Sequence, residues 1–278
     1  MVESRPQRRS RPRRSRAPRG KVSLAQRADE LGITIASLRR YVNLGSVRGQ
    51  ATRIGNRIYV DKDLVATPQR ARHNGPPALS SNRRASLTRE TGETRVSVEI
   101  GLDGRGQYTV QTGDAMLDHL LAQMARHGLM DLRVTARGDD LPDGHHLAED
   151  IAIVLGRALR QAVGEGRGIR RMGSALVPLD ESLAQVAVDF GGRGYAVVDT
   201  QLTGQRLGKF PGEMIAHFLE RLALEGGFNL HARVLTGTDP HHKAEALFKA
   251  LARALRDALE VDPRRAGEIP STKGTLSG

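Results

Sequence analysis

From residue 95 the chain alternates apolar and polar positions, Arg95-Val-Ser-Val-Glu-Ile. It turns at Asp103-Gly104 and returns through Gln107-Tyr-Thr-Val, the period-two signature of a half-buried hairpin. Helical spacing follows over 114–127, then a strand over 130–136, a polar loop, and a second helix over 145–163. The order then returns: strands over 174–178, 182–189 and 195–200, a helix over 211–224, a strand over 229–235, a loop, and a helix over 241–259. The pattern predicts an α+β fold in which one half-domain, a sheet with two helices on one face, is used twice. The repeats are expected at about 83–168 and 169–265, followed by a C-terminal tail, 266–278.

The closing helix of each half carries the same letters. Residues 145–160 read HHLAEDIAIVLGRALR and residues 241–256 read HHKAEALFKALARALR. A lone histidine precedes each pair, His119 and His217. On a helix, positions i and i+4 share a face, so His145 lies above Glu149 and His241 above Glu245. The adjacent His146 and His242 point about 100° away, which suits two different metal ions better than one. A single His-His pair is ordinarily a surface accident; two HHxxE motifs in repeat register, each with an upstream histidine, point to metal ligation. Six imidazoles and two carboxylates are enough for two ions with open positions.

Ahead of residue 83 the pattern changes. Residues 1–22 are a low-complexity run of Arg, Pro and Ser that buries almost nothing and is expected to be disordered. Residues 23–65 read as a helix capped by Ser23, a turn at Gly32, a second helix capped by Thr34 running through Leu38 and Tyr41, and a small hairpin around Asn56. This resembles the winged helix-turn-helix of the excisionase and mercury-regulator type. The resemblance implies that Ser37, Arg39 and Arg40 face a major groove, with Arg53 and Arg57 on phosphates. Residues 66–82, rich in Pro, Gly and Ser, read as a linker.

Charge divides the chain at the same place. Residues 1–82 hold 18 Lys/Arg against 5 Asp/Glu, a net +13, whereas the rest is −1. Any nucleic-acid contact therefore belongs to residues 1–65. The chain has no cysteine, which excludes disulfides and thiolate metal sites. It has no apolar run long enough for a membrane span and no secretory h-region, so a soluble, cytoplasmic protein is expected.

From Arg83 onward a series of blocks occurs in order: Arg89-Glu-Thr-Gly-Glu93-Thr, Leu117-Asp-His119-Leu-Leu-Ala-Gln-Met-Ala-Arg-His127-Gly, Asp143-Gly-His-His-Leu-Ala-Glu-Asp, and Arg167-Gly-Ile-Arg-Arg171-Met-Gly. Pro178-Leu-Asp-Glu, Asp189-Phe-Gly-Gly-Arg193, Glu213-Met-Ile-Ala-His217-Phe, the second HHxxE stretch and Ile269-Pro-Ser271-Thr272-Lys273-Gly complete them. In these blocks the chain resembles imidazoleglycerol-phosphate dehydratase. The resemblance implies two manganese ions held by His119, His145, His146, Glu149, His217, His241, His242 and Glu245. It implies substrate contact at Glu93, His119, His127 and the HHxxE stretches, and phosphate contact at Arg171, Arg193, Ser271, Thr272 and Lys273. It also implies a homo-oligomeric shell of 24 subunits with shared active sites. Gly144, Leu147 and Gly237-Thr-Asp-Pro240 depart from the family pattern, and none removes a ligand.

The residues fit the implied chemistry. Dehydrating the glycerol chain requires a proton to leave an unactivated carbon beside the imidazole ring, and a Lewis acid on each ring nitrogen would make the ring an electron sink through an imidazolate. Glu93, outside the ligand set, is the first candidate for proton transfer, with His127 beside it. Two other readings stay open on the residues alone. One is a dinuclear metal phosphohydrolase; the other is an oligomeric scaffold that displays a nucleic-acid-binding N-terminal module.

Overall fold

The computed structural model describes residues 20–31, 35, 38, 47–48, 51–54, 57–61, 65–66, 83–138, 145–265 and 267–276. The chain divides into two compact units, Met1–Arg70 and Ala71–Gly278. In the first, helix α1 (Leu24–Glu30) starts where the Ser23 hydroxyl accepts the Gln26 N–H at 3.1 Å. Strands β1 (Lys21–Ser23), β3 (Ala51–Ile54) and β4 (Arg57–Asp61) form a sheet in the order β1-β4-β3, and β2 (Val47–Arg48) pairs with β5 (Val65–Ala66). Val22, Leu24, Ala28, Leu38 and Val60 form a buried apolar cluster among its described residues. The expected hairpin thus occurs, with Ile54 opposite Arg57. The expected turn at Gly32 and most of the second helix, with Ser37, Arg39 and Arg40, lie outside the described residues, as do the side chains of Arg53 and Arg57 and residues 1–19. The disordered tail expected over 1–22 stops short of Lys21, because Lys21 and Val22 pair with Asp61 and Val60 in β1.

The second unit holds two four-stranded sheets of one topology. Strands β6 (Arg84–Glu90), β7 (Thr94–Gly101), β8 (Tyr108–Gln111) and β9 (Asp131–Gly138) lie in the order β6-β7-β9-β8. Strands β10 (Met172–Leu179), β11 (Ser182–Asp189), β12 (Tyr195–Asp199) and β15 (Asn229–Thr236) lie in the order β10-β11-β15-β12. In each sheet only the last pair is parallel. A short hairpin, β13 (Arg206–Leu207) with β14 (Phe210–Pro211), occurs among the described residues in the second half alone.

Four helices lie between the sheets: α2 (Ala115–Gly128), α3 (His145–Val163), α4 (Glu213–Gly226) and α5 (Pro240–Leu259). The HHxxE helices lie on their own sheets, α3 on β6 and β7, α5 on β10 and β11. Across the middle the pairing is crossed, α3 against α4 and α5 against α2. Glycine permits the close approaches: a Cβ on Gly156 of α3 would sit 2.8 Å from the Leu222 carbonyl of α4, and one on Gly173 would sit 2.2 Å from the Ala254 carbonyl of α5. The core is continuous through both halves, and Phe218, Phe228 and Phe248 are among its fully buried side chains.

Candidate active site

Crossed helix pairing decides which histidines meet. His119 of α2 faces His241 and Glu245 of α5, and His217 of α4 faces His145 and Glu149 of α3. Each cluster therefore takes its lone histidine from one half and its HHxxE from the other. Within each, two ring nitrogens and one carboxylate oxygen lie within 4.8 Å of one another. The start of α5 is fixed locally: Pro240 occupies its first turn, and the Asp239 carboxylate accepts the His241 and His242 backbone N–H groups at 2.8 and 3.4 Å.

The cluster on α5 is closed. His119 Nε2 and His241 Nε2 lie 2.9 and 3.0 Å from the same oxygen of Glu245, and Lys249 Nζ lies 2.8 Å from the other. Burial alone would push the Glu245 carboxyl up, but hydrogen bonds from His119 and His241 and the nearby cations outweigh it and hold the group well below the usual carboxylate range. The cluster on α3 is more open. Glu149 is 30% exposed in its side chain and is approached by Arg221 Nε at 3.3 Å and by His217 Nε2 at 3.4 Å. That second contact is not aligned as a hydrogen bond, and among the described residues the buried His217 Nε2 has no hydrogen-bond partner. A ring nitrogen in that state, beside an imidazole and a carboxylate, fits a borderline divalent cation.

The second histidine of each pair turns out of these clusters. The rings of His145 and His146 meet at 86°, and those of His241 and His242 at 87°. His146 Nδ1 lies 3.2 Å from Glu93, in the hairpin between β6 and β7. His242 Nδ1 lies 2.8 Å from Glu181, in the matching hairpin between β10 and β11. Backbone N–H bonds, that of Asp239 first, and the His242 contact hold the Glu181 carboxyl well below its ordinary range. Burial lowers His242, but its hydrogen bond to Glu181 and the charges of Asp239, Glu181 and Asp180 together outweigh this and raise it. On α2, His127 Nε2 is bonded to Gln123 at 3.0 Å; burial, and then the Lys249 charge, push its pKa down.

The expected phosphate residues gather at another place. Arg171 grips both oxygens of Asp189 through Nε at 2.7 Å and Nη2 at 3.1 Å, and its Nη1 donates to the Pro270 carbonyl at 3.0 Å. Arg193 is exposed in the turn beyond Asp189. Ser271 closes the tail, its Oγ accepting the Lys273 N–H at 3.2 Å and its carbonyl the Gly274 N–H at 3.1 Å, with Thr272 exposed between them. Arg171 N donates to the Ala258 carbonyl at 2.8 Å, at the far end of α5 from His241. Ala258 lies seventeen residue steps along the helix from His241, about 25 Å. In one chain, therefore, the phosphate set and the metal clusters stand at opposite ends of the helices. Glu181, Asp189, Arg221 and Lys249 were not among the expected site residues, although Glu181, Asp189 and Lys249 stand inside the quoted stretches.

A family model described as imidazoleglycerol-phosphate dehydratase matches residues 112–255. The chain is 55% identical over 196 residues to an imidazoleglycerol-phosphate dehydratase of Dehalococcoides mccartyi, covering 70% of this chain and 98% of that protein. It is 53% identical over 194 residues to one of Chloroflexus aurantiacus, covering 70% and 95%. Among solved structures it is similar to the Staphylococcus aureus imidazoleglycerol-phosphate dehydratase, at a TM-score of 0.58 and 31% identity over 64% of this chain and 99% of that one. It is similar, too, to the Pyrococcus furiosus protein in complex with (S)-C348, at 0.58 and 36% over 68% and 99%.

Proposed function

The chain belongs to the imidazoleglycerol-phosphate dehydratase family and is a hydro-lyase of histidine biosynthesis, and from that premise we propose how its residues divide the work. His119, His241 and Glu245 hold one metal ion, and His145, Glu149 and His217 hold another. Manganese is the proposed metal. The observation that carries this is the crossed pair of clusters, each of two imidazoles and a carboxylate. When bound, the ions draw electron density from the substrate's imidazole ring, which eases loss of a proton from the neighbouring carbon.

Glu93 takes or returns that proton; its exposed carboxylate at His146 supports the role. His127, held by Gln123 and favoured as the neutral imidazole, contacts substrate or passes a proton on. Arg193, Ser271, Thr272 and Lys273 hold the phosphate. Arg171 reaches it from a guanidinium already anchored on Asp189 and the tail.

A site completed between subunits follows from length. The substrate's ring and phosphate are joined by a three-carbon chain, far shorter than the 25 Å or so between His241 and the Arg171 end of one chain. One subunit's phosphate end must serve another's clusters, and His146 and His242, turned outward, add ligands across the same boundary. A closed shell of 24 subunits meets that requirement. Cytoplasmic residence is proposed with it; among the described residues no helix is long and apolar enough to cross a membrane. A division into a basic tail, a module through residue 65, a linker 66–82 and a catalytic domain 83–278 is proposed with it, the module taking in Lys21 and Val22 because both belong to strand β1.

The test is turnover of imidazoleglycerol phosphate by metal-stripped protein with and without added manganese. Manganese-restored imidazoleacetol phosphate is the expected result. Release of inorganic phosphate instead would mean the phosphohydrolase reading. The net +13 of residues 1–82 supports a second, separate role, salt-sensitive nucleic-acid contact by residues 1–65 in a helix-turn-helix-like module. Failure of the full chain to retard DNA or RNA in low-salt gels would remove it.

A further inference from the structure

Glu93 and Glu181 occupy one place in the two halves. Each immediately precedes the first residue of the second strand, Thr94 of β7 and Ser182 of β11, and each faces Nδ1 of the second histidine in its HHxxE motif. Their surroundings differ sharply. Glu181 Oε1 accepts three donors: the Asp239 N–H at 3.0 Å, the Thr238 N–H at 3.2 Å and the Ser182 hydroxyl at 3.0 Å. Its Oε2 is left for His242 Nδ1 at 2.8 Å. Glu93 is 59% exposed in its side chain and meets, among the described residues, only His146 at 3.2 Å. The sequence gives a reason. Counting three residues back from His145 and His241, Thr238 is matched by Pro142, which has no N–H to offer. Ser182 is matched by Thr94, whose hydroxyl is given to the buried Asp150 instead.

We propose that Glu181 is a positioning residue for His242, and that the two hairpin glutamates have diverged into a fixed one and a free one. A carboxylate accepts only, so Glu181 Oε2 requires the proton on His242 Nδ1 and leaves the Nε2 lone pair free to bind a cation. Pinned by three donors, that carboxylate is held at the imidazole and cannot swing to a substrate. Glu93, whose carboxylate meets only His146 among the described residues, is the member of the pair able to travel with a proton. The inference rests on the reading that the second histidines are metal ligands.

Glu181→Gln tests the tautomer directly. Its amide oxygen can keep the three donors at the Oε1 place, which turns the amide N–H groups toward His242 Nδ1. The ring must then accept at Nδ1 and carry its proton on Nε2, which blocks ligation. In the full metal-stripped chain titrated with Mn2+ by calorimetry and electron paramagnetic resonance, Glu181→Gln is expected to weaken one ion by about 10–100-fold. Glu93→Gln is expected to keep wild-type affinity for both ions while turnover collapses. If Glu181→Gln does not fold, Glu181→Asp, with the charge on a shorter arm, is expected to weaken the same ion. Wild-type Mn2+ affinity in the Glu181 variant, or equal weakening by Glu93→Gln, overturns the proposal. A wild-type chain that takes up no ion overturns the metal reading itself and this inference with it.

Discussion

The two clusters share a motif and differ in almost everything around it. Glu245 is 3% exposed in its side chain, with both histidines and a lysine on it, whereas Glu149 is 30% exposed and shares an arginine with Glu225. The cation has changed sides. In the closed cluster it is Lys249, one turn after Glu245 on the same helix, where the other helix has Ile153. In the open cluster it is Arg221, one turn after His217, where the partner helix has Gln123 turned to His127. A repeated HHxxE thus conserves the ligand triangle, while the residues one turn away decide how rigid and how dry each triangle is. Both triangles are assembled by folding, and they differ in burial and in the cation beside the carboxylate.

The largest expected contrast comes from the two carboxylates. Glu245→Gln breaks a buried network and is expected to cost the metal-free protein about 3 kcal/mol, against about 1 kcal/mol or less for the solvent-screened Glu149→Gln. Both variants are expected to lose turnover by roughly a thousandfold through loss of an ion, since several kcal/mol of transition-state stabilisation go with it. Equal destabilisation by the two, read in urea titrations of the metal-free chains, would break the comparison. Deleting 269–278 is expected to lower turnover by at least about a hundredfold through loss of substrate positioning. Both ions should bind that truncated chain as before, because the tail supplies none of the proposed metal ligands.

The smallest effect is in pH. Burial favours neutral His127 in the folded chain, so its contribution to stability is complete above the ordinary histidine value of about 6.5 and is lost as pH falls below it. Metal-free His127→Gln should therefore show a shallower fall in unfolding midpoint between pH 7 and 5 than the wild type. An unchanged slope would assign that titration to other groups.

Much of this was legible in the letters because local patterns govern helices and strands. The helix 145–163 agrees with α3 at both ends, and Asp114 and Ser23 cap the helices that follow them. Strand β6 escaped notice because only Ala85 and Leu87 supply apolar inward positions; the third is Arg89, which reaches Asp150 of α3 at 3.0 Å. The crossing of helices between halves depends on contacts far apart in sequence, at Gly156 and Leu222 among others, and no local period encodes it. Glu181 was hidden by spacing. Glu93 stands 26 residues before its lone histidine and Glu181 stands 36 before its own, the hairpin β13–β14 lying in the longer interval. A repeat aligned on the histidines therefore slides past it.

The most direct test of a site completed between subunits is complementation. An Arg193→Ala chain and a Glu245→Gln chain, each inactive alone, would be unfolded together, refolded as a mixture and assayed with manganese. The account predicts that the mixture regains a substantial part of wild-type turnover, because one chain's intact clusters meet the other's intact phosphate end. A mixture in which mass spectrometry finds both chains in one assembly, yet no turnover returns, would contradict it.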